Sequence, residues 1–141
     1  MSFMLACVPT AQQRPRHMRT KVGHDLTYKS RRQKGNEAEL DGLLLPWRPE
    51  TPFACAVALC FTAVMPIPKS ASRKKREAMT RGEILPAVKP DLDNLAKQLK
   101  DAMTRTGFWL DDRQVVRLEC AKIYGEEPRW EVTLLPLEHV A

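Results

Sequence analysis

From Phe53 to Val64 the chain runs through Phe, Ala, Cys, Val and Leu with one polar interruption, Thr62. Successive side chains of a strand point to opposite faces, so a strand with one wet face alternates apolar and polar residues. A nearly unbroken run suits a central strand covered on both faces. The stretch Pro52 to Met65 is too short to cross ~30 Å of hydrocarbon as a helix, and Met65-Pro66-Ile67-Pro68 breaks the ladder because proline has no N–H to donate. A chain organised about such a strand needs a sheet and elements to cover it. Its 141 residues, 43% hydrophobic, provide for one domain over residues 1–141.

The covering elements are legible from their periods. Leu92, Leu95, Ala96, Leu99, Ala102 and Met103 form one apolar stripe at helical spacing. Asp91 suits the N-cap of that helix and Gly107 a left-handed stop. A second helix is expected from a Ser30 cap to about Leu45, and a short polar one from Ser72 to Thr80, opened at Ser70 and closed by Gly82. Ser2 to Val8 reads as a first strand ended by Pro9, Asp25 to Tyr28 as a short ordered piece in a long loop, and Ile84 to Pro90 as an extended return. Val115–Tyr124 and Arg129–Leu135 read as two antiparallel strands joined at Gly125-Glu126-Glu127-Pro128. The sum is an α+β domain: a mixed sheet of about four strands packed against two or three helices. Phe108, Trp109 and Trp130 read as packing residues.

Cys7, Cys55, Cys60 and Cys120 stand singly, without a C-x-x-C pair or a histidine at ligand spacing, so neither a disulfide framework nor a zinc site is expected. His17 and His24 receive no metal role. No basic region precedes the apolar N-terminal residues, which reads as no signal peptide and a cytoplasmic protein; no membrane partner and no small-molecule cofactor are expected. Lys plus Arg exceed Asp plus Glu by 23 to 17, for a net charge of +6. Most of the excess lies in residues 14–34 and 69–76. Such clusters either solvate the surface or contact phosphates. The candidates for DNA contact are Arg14, Arg16, Lys69, Arg73, Lys74, Lys75, Arg76 and Lys89.

Acids gather around the third helix. Asp91 and Asp93 flank its first turn, and Asp111-Asp112 stand just before the next strand. Carboxylates brought together repel unless a cation neutralises them. Oxygen ligands without Cys or His select Mg2+ or Mn2+, an ion able to activate water and to stabilise charge on a phosphodiester oxygen. Each acid also has an ordinary reading, as a helix cap, a dipole partner or a solvated turn, and Lys97 reads equally as an i, i+4 partner of Asp93. Convergence of Asp112 on Asp91 and Asp93 requires that the connection between helix and strand double back.

The ordered string Lys89-Pro90-Asp91-Leu92-Asp93-Asn94-Leu95, Lys97, Asp101-Ala102, Gly107-Phe108-Trp109-Leu110-Asp111-Asp112 and Gln114-Val115-Val116 resembles the RusA family of Holliday junction resolvases, without a gap over residues 89–116. Arg14-Pro15-Arg16 and Pro66-Ile67-Pro68-Lys69 are similar to phage-type members. The resemblance implies a homodimeric, Mg2+-dependent endonuclease that nicks two strands of a four-way DNA junction symmetrically. It implies Asp91, Asp93 and Asp112 as metal ligands and catalytic residues, Lys97 as the essential lysine, and Asp111 in support. The best-known member carries an arginine run directly before D-L-D-N, where this chain has Leu85-Pro86-Ala87-Val88-Lys89; its own basic run, Arg73 to Arg76, lies earlier. The competing readings are a non-catalytic DNA- or RNA-binding protein and a metal-dependent nuclease of other branched DNA.

Overall fold

In a computed structural model describing residues 1–137, the order of elements is β1 (Ser2–Leu5), β2 (Arg16–Arg19), β3 (Asp25–Tyr28), α1 (Arg31–Leu44), β4 (Ala56–Pro66), α2 (Arg73–Thr80), α3 (Leu92–Thr106), β5 (Val115–Gly125) and β6 (Arg129–Leu137). The last four of the residues expected to form one domain lie outside the described residues. A four-stranded mixed sheet in the order β1-β6-β4-β5 and a separate β2–β3 hairpin accompany the three helices, an α+β fold.

β4 takes an inner position, as its apolar run requires, but its two neighbours are not a hairpin. β5 lies parallel to it on one side and β6 antiparallel on the other. The expected pairing of β5 with β6 is therefore corrected: the turn after Gly125 steps across the end of β4. The registers explain how. β5 continues to Gly125 opposite Pro66, whereas β6 begins at Arg129 opposite Val64, so residues 126–128 pass where proline ends the ladder.

Coverage of β4 also differs from expectation. Val57, Leu59, Phe61, Ala63 and Met65 join the core cluster with Leu40 and Leu44 of α1 and Leu95, Leu99 and Met103 of α3. On the other face Ala58 and Val64 are buried, but Cys60 and Thr62 are only half-buried and border an open depression with Met4, Glu119 and Glu131. Small side chains shaded by longer neighbours on flanking strands produce the same unbroken run as a fully covered strand.

Local chemistry sets the remaining boundaries. Cys7 N–H donates to the Leu5 carbonyl, turning the chain away before the expected end of β1 at Val8. Ser30 caps α1 by accepting from Gln33 N–H, and Pro46 is taken up in a 3-10 turn at Leu45–Trp47. Ser72, rather than Ser70, caps α2. Residues 84–90 return without forming a strand. β2, absent from the expected elements, pairs Arg16 to Arg19 with β3, and every residue of both strands is exposed.

α3 ends at Gly107, whose φ of 90° needs a residue without a Cβ. Phe108 and Trp109 then bury fully, with Trp109 Nε1 donating to Thr104 Oγ1 at 2.8 Å. Trp130 is buried edge-on against Phe61. The four cysteines are free, and burial beside Glu39 pushes the Cys7 thiol up to about 11. Among the described residues no helix is long and apolar enough to cross a membrane.

Candidate metal and nucleic-acid site

Asp91 occupies the N-cap position of α3 in extended conformation, yet its side chain makes no capping bond. Asp93 follows in the first turn. Both are exposed, as is Lys97 one turn later, and no Asp93–Lys97 ion pair exists among the described residues. The ordinary readings of Asp91 as a side-chain cap and of Lys97 as a surface pair are thus not what the chain does with them.

The Asp111-Asp112 pair divides in a similar way. Asp111 Oδ1 accepts from Arg113 N–H at 2.9 Å, and its other oxygen pairs with the Arg113 guanidinium at 3.3 Å. Gln114 returns the bond, accepting from the backbone N–H of Asp111 at 2.8 Å, while its amide donates to the Phe53 and Cys55 carbonyls. This capping box ties the turn to the sequence preceding β4 and occupies Asp111 structurally. Asp112 has no such engagement. It borders a depression with Asp101, Thr104 and Arg105.

That placement separates Asp112 from the other two. The connection from α3 to β5 does not double back; helix and strand run antiparallel, so the start of β5 lies by the end of α3. Asp101 and Thr104, the neighbours of Asp112, stand roughly 12 to 20 Å along the axis from Asp93 and Asp91 at ~1.5 Å rise per residue. At the other end, Lys122 of β5 donates to the carbonyls of Val88 and Pro90 at 2.8 Å each, fixing the approach to Asp91. From Lys122 back to Val115 the strand extends about 23 Å at ~3.3 Å per residue. Among the described residues no three His, Cys, Asp or Glu side chains form a group able to hold a metal ion. Asp91 and Asp93 share one end of α3; Asp112 lies near the other.

Lys97 and Asn94 border a cleft with Arg14, Lys29, Gln12 and Gln13. The root of the basic loop is pinned there by a polar network. Gln12 donates to Asp101 at 2.6 Å, Ser30 to Gln13 at 2.6 Å, and Gln33 to Gln98 at 2.9 Å. Glu37 completes it, accepting from Lys29 at 2.9 and 3.1 Å and from Gln33 at 2.9 Å, with Arg105 nearby. Sequence reasoning singled out Arg14, placed Lys29 only within the basic stretch 14–34, and missed Lys122, which stands in no motif; only the fold brings them to α3.

Burial alone would raise the Glu37 carboxyl, but the bonds from Lys29 and Gln33 and the charges of Arg105 and Lys29 hold it below the ordinary carboxylate value. Its stabilising contribution is therefore complete above the ordinary glutamate range and lost as pH falls through the lowered value. Glu37→Gln is expected to cost about 1–2 kcal/mol at neutral pH, after allowing for partly exposed partners. It should also flatten the acid side of the stability profile, as measured by urea unfolding at neutral pH and near pH 3.

The second basic stretch is differently disposed. Arg73 pairs with Glu77, while Arg76 pairs with Glu126 and donates to the Pro68 carbonyl. Lys74, Lys75, Lys69 and Lys89 are exposed, as is Arg16 on the hairpin. The structure thus brings Arg14, Lys29 and Lys97 into one cleft and leaves the α2 cations on another part of the surface.

The family described as Endodeoxyribonuclease RusA matches residues 6–135, which include every element just described apart from β1 and the last residues of β6. The Bacillus subtilis (strain 168) protein YqaN is 43% identical over 89 residues, 62% of each chain. A crossover junction endodeoxyribonuclease of Lactococcus phage r1t is 46% identical over 46 residues, 33% of this chain and 35% of the phage protein. The crossover junction endodeoxyribonuclease RusA of Escherichia coli (strain K12) is 58% identical over 33 residues, 23% of this chain and 28% of its own. The matched stretches span less than two thirds of these relatives. Over nearly its whole length, this chain belongs to the RusA endodeoxyribonuclease family.

Proposed function

We propose that the chain is a Mg2+-dependent endonuclease that resolves four-way DNA junctions by paired symmetric nicks, working as a homodimer. The observation that carries this reading is the family match across residues 6–135, within which Asp91 and Asp93 stand exposed without a structural bond to explain them. Relatives that match parts of the chain bear the name crossover junction endodeoxyribonuclease.

A carboxylate pair with no soft ligand suits Mg2+, with Mn2+ able to substitute, and such an ion when bound supplies an activated water and charge stabilisation at phosphate. Two carboxylates from one chain leave the ligand set short. Asp112 is too distant to join them within the chain, so the reading assigns the third ligand to Asp112 of the partner subunit. Each dimer then holds two equivalent sites related by a two-fold axis, which suits a junction with approximate two-fold symmetry. Lys97, beside Arg14 and Lys29 in one cleft, binds the phosphate and steadies charge that develops on it. Asp111 holds the turn that presents Asp112.

The test compares a mobile four-way junction with linear duplex of the same sequence, each with Mg2+ and with EDTA. Symmetric nicks in the junction with Mg2+, and none in the duplex or with EDTA, are expected. Salt-sensitive binding that ignores EDTA and never leads to nicking would identify a binding protein instead. Equal cleavage of flaps or forks would mean a broader branched-DNA nuclease.

A further inference from the structure

We propose that one face of the β2–β3 ribbon meets unstacked DNA bases, so that the chain grips a branch point in preference to continuous duplex; the idea rests on the junction substrate proposed above. The ribbon pairs Arg16 with Tyr28, His17 with Thr27, Met18 with Leu26 and Arg19 with Asp25. Side chains alternate between faces along a strand, and directly opposed residues share a face. One face therefore carries His17, Thr27, Arg19 and Asp25, and the other Arg16, Tyr28, Met18 and Leu26.

The two faces are used differently. On the first, Thr27 and His17 share a hydrogen bond at 3.2 Å, and Arg19 stands opposite Asp25. On the second, Met18 is 50% exposed, Leu26 46% and Tyr28 44%, so three large side chains lie side by side in solvent. Contiguous exposed apolar side chains mark an interaction surface, and charge decides what covers this one. Residues 14–29 carry Arg14, Arg16, Arg19, Lys21 and Lys29 against Asp25 alone. Such a surface repels a second copy of itself and attracts a polyanion. Its root is tied to α1 on both sides, by Gln13 N–H donating to Gln33 and by Ser30 donating to Gln13. There Arg14, Pro15 and Lys29 line one cleft with Asn94 and Lys97, so a strand whose phosphate is held at Lys97 passes the ribbon.

In continuous duplex each base is covered above and below by its neighbours, leaving only edges and phosphates open. A base face becomes available where the stack is broken, as at the crossing point of a four-way junction. Stacking on an aromatic ring then tolerates any base, and aliphatic side chains set against a base step hold it open. Tyr28 supplies the ring, with Arg16 opposite it, and Met18 and Leu26 extend the surface toward exposed Val22 in the connecting turn. At ~3.4 Å per strand residue this face runs about 10 Å from its root, roughly three nucleotides at ~3.4 Å each. The bases it meets therefore lie within a few nucleotides of the phosphate at Lys97.

Binding of the full chain to a four-way junction and to linear duplex of the same sequence, both in EDTA so that no strand is cut, tests the ribbon apart from catalysis. Tyr28→Ala is expected to weaken junction binding at least about fivefold, the scale of one lost base stack, and duplex binding less than about twofold. Tyr28→Phe should bind both as wild type does, because the ring and not the hydroxyl makes the contact. Photocrosslinking gives a second readout on the unaltered chain. Iodouracil at the crossing point should crosslink to Tyr28 or Met18, and the yield should fall when the label is moved to the middle of a duplex limb. A Tyr28→Ala variant that binds the junction like wild type, that loses junction and duplex equally, or that changes the sedimentation of the free chain would each overturn the proposal. So would crosslinks confined to other segments. Junction binding through Tyr28 without nicking in Mg2+ would remove the proposed activity alone. Symmetric nicking of junctions by a chain indifferent to Tyr28 would remove the ribbon's role alone.

Discussion

Asp93→Asn is expected to reduce Mg2+-supported nicking of a four-way junction by at least about a hundredfold, the scale on which losing one preorganised electrostatic group acts. Junction affinity should stay level or rise, because the substitution removes a negative charge from a surface that meets phosphate. The side chain keeps its volume, and among the described residues the Asp93 carboxylate makes no intrachain hydrogen bond or ion pair, so the fold has little to lose. Its helix-dipole contribution in the first turn is worth only about 0.3–1 kcal/mol. Single-turnover cleavage and a binding titration in the same buffer separate the two effects. Equal cleavage by Asp93→Asn with Mg2+ present would remove the metal-site reading altogether.

The elements that depend on local pattern were legible from sequence. α3 shows its stripe, its cap position and its glycine stop in contiguous residues, and its observed span agrees with them. β4 is legible as a central strand because an apolar run has few other uses in a chain of this length. What escaped was the order of strands beyond it. A three-residue link between β5 and β6 reads as a hairpin turn, and nothing local reveals that β4 slips between them; that choice is made by burial of the most apolar strand. Asp25 to Tyr28, read as a short ordered piece, is β3, but its partner β2 and their pairing escaped because both strands are exposed throughout and no period marks them.

The site was legible in its residues but not in its arrangement. The D-L-D-N string marks Asp91 and Asp93 without reference to tertiary structure, whereas the reach of Asp112 depends on the direction of β5 relative to α3. Lys122 illustrates the limit. It sits in a strand with no motif around it, yet its ammonium holds the backbone that leads into Asp91. A side chain that positions another residue across the sheet leaves no spacing signature.

Mixing two inactive variants should restore activity if the metal site is shared between subunits. Asp93→Asn and Asp112→Asn homodimers each lose a ligand from both of their sites. In a mixed dimer the two substitutions fall together in one site, and the other site keeps Asp91 and Asp93 of one chain with the partner's Asp112. Random exchange of equal amounts makes about half of all dimers mixed, each with one intact site. Nicking should therefore return to roughly a quarter of the wild-type site concentration, from a background at least about a hundredfold lower. The product should be a single nick in one strand rather than a resolved junction, because the second site of every mixed dimer lacks two ligands. Were all three aspartates to act within one chain, each subunit of the mixed dimer would carry one defect and nothing would return. Subunit exchange, checked by a size tag on one variant, makes that negative result as decisive as the positive one. The roughly 12 to 20 Å along α3 between the neighbours of Asp112 and the pair Asp93 and Asp91 argues for recovery, since no rotamer of an aspartate closes such a gap.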